Sequence, residues 1–117
     1  MTVVYHAALP HEWVDAQAAG EYTMSTRGLT LEQEGFIHCS TREQVEGVAN
    51  RFYGDLEELS LLTVDLDRIE SDVRWEPPAP GAAELYPHIY GPLPAAAVTA
   101  VLTWRRRTGS WSLDLPA

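Results

Sequence analysis

The segment Phe36-Ile37-His38-Cys39-Ser40-Thr41-Arg42-Glu43 decides the fold, because two periodicities meet inside it. Phe36 to Ser40 reads as a buried strand. Side chains on a strand alternate between faces, so His38 and Ser40 point one way and Cys39 the other. Ser40-Thr41-Arg42-Glu43 then matches a capping box, in which a hydroxyl and an acidic side chain satisfy free amides at a helix start. Val45, Val48, Ala49 and Phe52 follow at helical spacing, and Gly54 ends the helix.

Upstream, Val3 to Ala7 reads as another buried strand, with Tyr5 and His6 on opposite faces. Leu9-Pro10 opens a helix that runs to about Ala19 and stops at Gly20. Glu21 to Glu34 shows no clean period and is expected to be an irregular excursion; loops of that length inside one domain tend to be functional.

Downstream, Leu59 to Asp65 is almost wholly apolar and belongs at a sheet centre. Val73 to Glu76 is a strand stopped by Pro77-Pro78, and Ala79 to Leu85 is a Pro/Gly/Ala loop. His88 to Tyr90 is a short strand with His88 and Tyr90 on one face, Pro92-Leu93-Pro94 a turn, and Val98 to Arg105 a long last strand. Trp111 to Leu115 adds an edge strand. Two helices early and most strands later predict an α+β fold.

At 117 residues the chain, 1–117, is a single domain. Its 45% hydrophobic and 21% charged residues describe a globular protein. No apolar run reaches the roughly 20 residues of a membrane helix. The start lacks a signal-peptide pattern, so a cytoplasmic location and no membrane partner are expected. The formal charge is −9, and every basic residue is arginine. Such a field repels polyanions, which excludes nucleic acid as a favoured partner; Arg105-Arg106-Arg107 reads as a solvated strand end. Cys39 is the single cysteine and reads as a buried packing residue rather than a nucleophile.

Three segments carry histidine inside apolar surroundings: Val3-Val4-Tyr5-His6-Ala7, Gly35 to Ser40, and Tyr86-Pro87-His88-Ile89-Tyr90-Gly91. Imidazole beside hydroxyl on one strand face can hold a polar ligand or move a proton. Glu76, placed at a rigid strand end, supplies a carboxylate for developing positive charge. Tyr22 and Tyr90 can stack on a flat ring or donate to a phosphate. None of the histidine spacings is the short ligating type, so no metal is expected. An exposed Trp104 or Trp111 could serve a dimer, and the sequence leaves the oligomeric state open.

The Tyr-His start, then GFIHCST, VANRFY, LLTVDL, a Trp-Glu pair and YPHIYGPLP resemble the bacterial family called domain of unknown function 952 across nearly the whole chain. More distantly, Tyr5-His6 on the first strand and His38-x-Ser40 on the second resemble the ADP-ribosyltransferase-like enzymes, the RNA 2′-phosphotransferases in particular. That resemblance implies a split, mostly antiparallel sheet with two short helices that clasps NAD or a related nucleotide. It puts a ribose contact on His6 and the pocket on His38 and Ser40. The second strand keeps only one of the phosphotransferases' two histidines, and Glu76 or His88 stands as candidate for the late catalytic acid.

The expected site therefore has His38, His88 and Glu76 as catalytic groups and His6, Tyr22, Ser40 and Tyr90 as ligand-binding groups. NAD is the expected substrate, and the expected reaction is transfer or cleavage at a glycosidic carbon. Two alternatives stay open: a non-catalytic module binding a metabolite or a partner protein, and a histidine-based hydrolase or isomerase acting on a small organic substrate.

Overall fold

A computed structural model describes residues 2–114 of the chain. Strand β1 (Val3–Ala8) leads through Leu9 into helix α1 (Pro10–Ala19). Pro10 begins the helix, where a missing N–H costs nothing, and Gly20 ends it at φ +89°, its N–H bonded to the Ala16 carbonyl at 2.8 Å. Trp13 and Ala16 bury one side of this helix.

The stretch expected to be irregular is built from small pieces. It holds β2 (Glu21–Tyr22), β3 (Met24–Thr26), β4 (Leu29–Thr30) and α2 (Leu31–Glu34), the last capped reciprocally by Thr30 and Gln33. Gly35 at φ +97° terminates α2 in the left-handed region and turns the chain toward Phe36. With α2 the described residues contain three α-helices, one more than expected.

Strand β5 (Ile37–His38) is short, and α3 (Arg42–Phe52) follows it. The N-cap is Thr41, one residue beyond the expected Ser40: the Thr41 N–H donates to Gln44 Oε1 at 3.0 Å. Ser40 is unavailable because its backbone N–H and C=O are both exchanged with Tyr5, at 2.8 and 2.7 Å. The helix ends at Phe52 with Tyr53 as its cap, one residue before Gly54.

Strands β6 (Glu58–Asp65), β7 (Asp72–Glu76) and β8 (Tyr86–Tyr90) come next, then β9 (Leu93–Pro94) and β10 (Val98–Arg105). The expected turn at Pro92-Leu93-Pro94 contains β9, which pairs with β2. No strand forms at Trp111 to Asp114, and Leu115 lies outside the described residues. Trp104 and Trp111 are buried, their rings 5.0 Å apart edge to face, so neither offers a surface to a partner.

The larger strands form two antiparallel three-stranded sheets, β1-β6-β10 and β5-β8-β7, with β6 central in the first as its apolar sequence requires. The segment from Phe36 to Ser40 leaves the second sheet at His38 and joins the edge of the first at the Tyr5–Ser40 bridge. The architecture is thus α+β, mostly antiparallel and split between two sheets.

Two cores follow from strand alternation. Val4, Ala8, Leu62 and Val64 on one face of the first sheet meet Ile37, Cys39 and Ile89 of the second and Trp13 of α1. Ala7, Leu59, Leu61 and Trp104 on the opposite face meet Val45 and Ala49 of α3. No helix among the described residues is long and apolar enough to cross a membrane.

Candidate functional site

The register of the second sheet builds the site. Ile37, Ile89 and Val73 lie across from one another on the core side. Period-two alternation therefore turns Phe36 and His38 of the β5 segment, Tyr86, His88 and Tyr90 of β8, and Asp72, Arg74 and Glu76 of β7 to the outer face. Across the ladder His38 stands opposite His88, and His88 opposite Arg74. Cross-strand neighbours in such a ladder are close enough for direct side-chain contact.

Glu76 ties this face together. Its Oε1 accepts a hydrogen bond from His88 Nδ1 at 2.9 Å and another from the Tyr90 hydroxyl at 2.5 Å. Both donors favour the ionised carboxylate, Tyr90 most and then His88, and they hold Glu76 below the usual carboxylate range. Tyr90 shifts the opposite way: the bond to Glu76 raises its phenol above the ordinary value. The Arg74 guanidinium lies 4.3 Å from the centre of the Tyr90 ring, within cation–π range.

An aromatic cluster covers His88. The Phe36 ring stacks on its imidazole with centroids 4.1 Å apart and planes 19° from parallel. His38 meets the same imidazole edge-on at 5.1 Å, and Phe36 also touches His38 and Tyr90. His88 is 2% exposed, and its Nε2 has no hydrogen-bond partner among the described residues. With Nδ1–H committed to Glu76, Nε2 is the remaining polar atom of the ring, and it is the one left without a partner. A buried polar atom without a protein partner is uncommon.

His38 is half-buried. Its Nε2 lies 3.4 Å from Oε1 of Glu34, the last residue of α2. Burial lowers its basicity, the neighbouring His88 adds to that, and Glu34 opposes both. Four of the expected site residues, His38, His88, Glu76 and Tyr90, thus converge on one face.

The other three do not join them. His6 and Tyr22 lie inside the first core: His6 Nδ1 donates to the His38 carbonyl at 2.5 Å, and the Tyr22 hydroxyl donates to His6 Nε2 at 2.8 Å. Both ring nitrogens of His6 are therefore spent, leaving none for a ribose. Ser40 is buried at the junction between the sheets, where its backbone serves Tyr5. Phe36, Arg74 and Glu34 are added by the structure. Phe36 sits two residues before His38, and Arg74 two before Glu76, so strand alternation carried a signal for both.

Two hollows lie elsewhere. One of about 450 Å³ runs between Trp13, Gln17 and the start of β10, and one of about 310 Å³ lies beside His11, Glu12 and Asp15. Neither contains the convergent groups of the outer face, and chemistry rather than depth marks the site. No three His, Cys, Asp or Glu side chains among the described residues are grouped to share a metal ion.

A model of the family described as "Protein of unknown function (DUF952)" matches residues 7–101. The crystal structure of protein CC0527 from Caulobacter crescentus is similar over 94% of this chain and 92% of its own, at 29% identity and a TM-score of 0.79. The solution structure of the same protein aligns over 95% and 91%, at 30% identity and a TM-score of 0.76. No curated protein matches the chain.

Proposed function

From the premise that this chain belongs to the family of unknown function DUF952, we propose that its outer sheet face binds a nucleotide-like ligand, NAD or another ADP-ribose species. In this reading the split sheet serves as it does in the ADP-ribosyltransferase-like fold, and the reaction is transfer or cleavage at the glycosidic carbon. The observation that carries it is the Glu76 carboxylate bridging His88 and Tyr90 beside His38.

The chemistry follows from those groups. When the bond between the ribose carbon and the base breaks, its electron pair leaves with the base and positive charge grows on the sugar. A fixed carboxylate facing that charge lowers the barrier electrostatically. Glu76 stays ionised under its two donors, and its Oε2 accepts no hydrogen bond among the described residues. The incoming hydroxyl of water or an acceptor gives up its proton to His38, whose lowered basicity keeps it neutral and able to accept near pH 7. Phe36 and Tyr90 offer ring faces for a flat base, and Arg74 supplies positive charge for an anionic group.

Titration calorimetry of the protein with NAD, ADP-ribose and nicotinamide tests the reading. Heat of binding is expected with at least one of them, and it is lost in Glu76→Gln and Phe36→Ala proteins that keep the native far-ultraviolet spectrum. No heat at millimolar ligand overturns it.

A second reading, binding without turnover, is favoured by one observation: His88 is buried beside Phe36 and His38, with its Nε2 closed off from solvent. It predicts that bound ligand is recovered intact after long incubation, or that a partner protein is captured and lost with His38→Ala.

A further inference from the structure

The first sheet ends in β10, which has β6 on one side and no strand on the other among the described residues. Thr99 to Thr103 are exposed without interruption, although alternate side chains there point to opposite faces. Val101 and Leu102 are 44% and 38% exposed. From Val98 to Trp104 the strand has neither a charged residue nor a proline. Soluble proteins normally blunt such an edge with charge, proline or a bulge. Here a register shift between Val98 and Ala100 marks only one end.

We propose that β10 pairs antiparallel with β10 of a second copy of this chain, so that the two β1-β6-β10 sheets become one continuous sheet across a two-fold axis. Edge addition of this kind takes its affinity from main-chain hydrogen bonds, and the exposed apolar side chains supply the contacts on each face. The hollow bordered by Trp13, Gln17, Val98 and Val101 flanks the edge on the α1 side and receives side chains of the added strand.

Charge selects a second copy, and the antiparallel direction, over an arbitrary peptide. Just past the C-terminal end of the strand Arg107 is exposed and makes no ion pair among the described residues, whereas Arg105 and Arg106 are paired with Glu58 and Glu57. At the other end Val98 stands opposite Val64, and the turn Leu66–Arg68 meets the turn Ala95–Ala97, its Arg68 reaching the Ala96 carbonyl at 3.4 Å. That end presents the exposed Asp67 and, just beyond it, Glu70. Antiparallel self-pairing brings the C-terminal end of each strand to the N-terminal end of the other. Arg107 of each copy then faces Asp67 and Glu70 of its partner, twice over by symmetry. Parallel pairing would instead set Arg107 against Arg107.

Sedimentation equilibrium of the full chain, from low micromolar to submillimolar concentration, tests this. The mass is expected to rise from 13.0 kDa toward twice that value. Val101→Lys and Ala100→Lys both alter exposed side chains; each is expected to weaken association by about tenfold or more, with the melting temperature unchanged at dilutions where parent and variants are all monomeric. Arg107→Glu weakens it as well, and adding Asp67→Arg to the same chain restores it. A chain that stays monomeric throughout overturns the proposal, including when it captures other extended peptides. So does association that survives both lysine variants, or a charge swap that restores nothing.

Discussion

His6 donates its Nδ1–H to the backbone carbonyl of His38 at 2.5 Å, so an interior histidine anchors the strand that carries an outer one. With the Tyr22 hydroxyl donating to its Nε2, His6 is neutral, and burial pulls its pKa down to about 4 from 6.5. The sign of the consequence is fixed. Below pH 6.5 the unfolded chain takes up a proton at this ring and the folded chain does not until about pH 4. The stabilisation is complete above pH 6.5 and declines as pH falls toward 4, by up to about 3 kcal/mol. Urea denaturation across that window is expected to show the decline in the parent protein. In His6→Gln the slope is shallower, since the carboxylates titrate equally in both; parallel curves count against it.

Glu76 governs the ionisation of Tyr90. A phenol that donates to a carboxylate resists losing its proton, and this bond is the largest cause of the raised Tyr90 value. Glu76→Gln removes the charge and is expected to bring Tyr90 down toward the ordinary value of about 10. Ultraviolet difference titration reads this as one phenol ionising earlier than in the parent. An unchanged titration curve would show that the Glu76–Tyr90 bond does not persist in solution.

How much of this site could be read from the chain depends on the kind of relation involved. Alternation put His38 with Ser40 and His88 with Tyr90 on shared faces; the second statement agrees with the structure, whereas β5 ends at His38 and Ser40 is buried at the bridge to Tyr5. The pairing of His38 with His88 spans fifty residues and leaves no periodic trace. His6 misled for a physical reason: both faces of β1 are buried, one against each core, so its apolar neighbours carried no information about direction. The pieces between Glu21 and Glu34 are two to four residues long, too short for any period to register. At the start of α3, Ser40 and Thr41 are equally good caps by composition. The Tyr5–Ser40 bridge, a long-range contact, decides between them.

Cys39 points into the first core, away from His38, as strand alternation predicted. Burial pushes its thiol up to about 12, so the thiolate that reacts with electrophiles is essentially absent near neutrality. The folded protein is expected to resist an aromatic disulfide reagent at pH 8 and to react with one equivalent after denaturation. Rapid stoichiometric labelling of the folded chain would falsify the burial and reopen a nucleophilic role.

Asn50 replaces a strand neighbour for the segment after β10. Its Oδ1 accepts from the Trp111 N–H at 2.6 Å and its Nδ2 donates to the Trp111 carbonyl at 2.9 Å, the two bonds a β partner would have made. This clamp holds the Trp111 indole in the second core, where its Nε1–H reaches the Tyr53 carbonyl at 2.9 Å. Asn50→Ala leaves the Trp111 backbone groups to water and frees the indole to leave α3. Two bonds at about 1 kcal/mol each set the expected loss near 2 kcal/mol. The accompanying sign is a red-shifted tryptophan emission, because Trp111 packs against Trp104 only while the clamp holds. Asn50→Asp should behave differently: it keeps the acceptor for the Trp111 N–H but sets a carboxylate against the Trp111 carbonyl. Equal stability of the Asp variant and the parent would show that the Nδ2 bonds, to the Trp111 carbonyl and at 3.0 Å to the Glu46 carbonyl, contribute nothing.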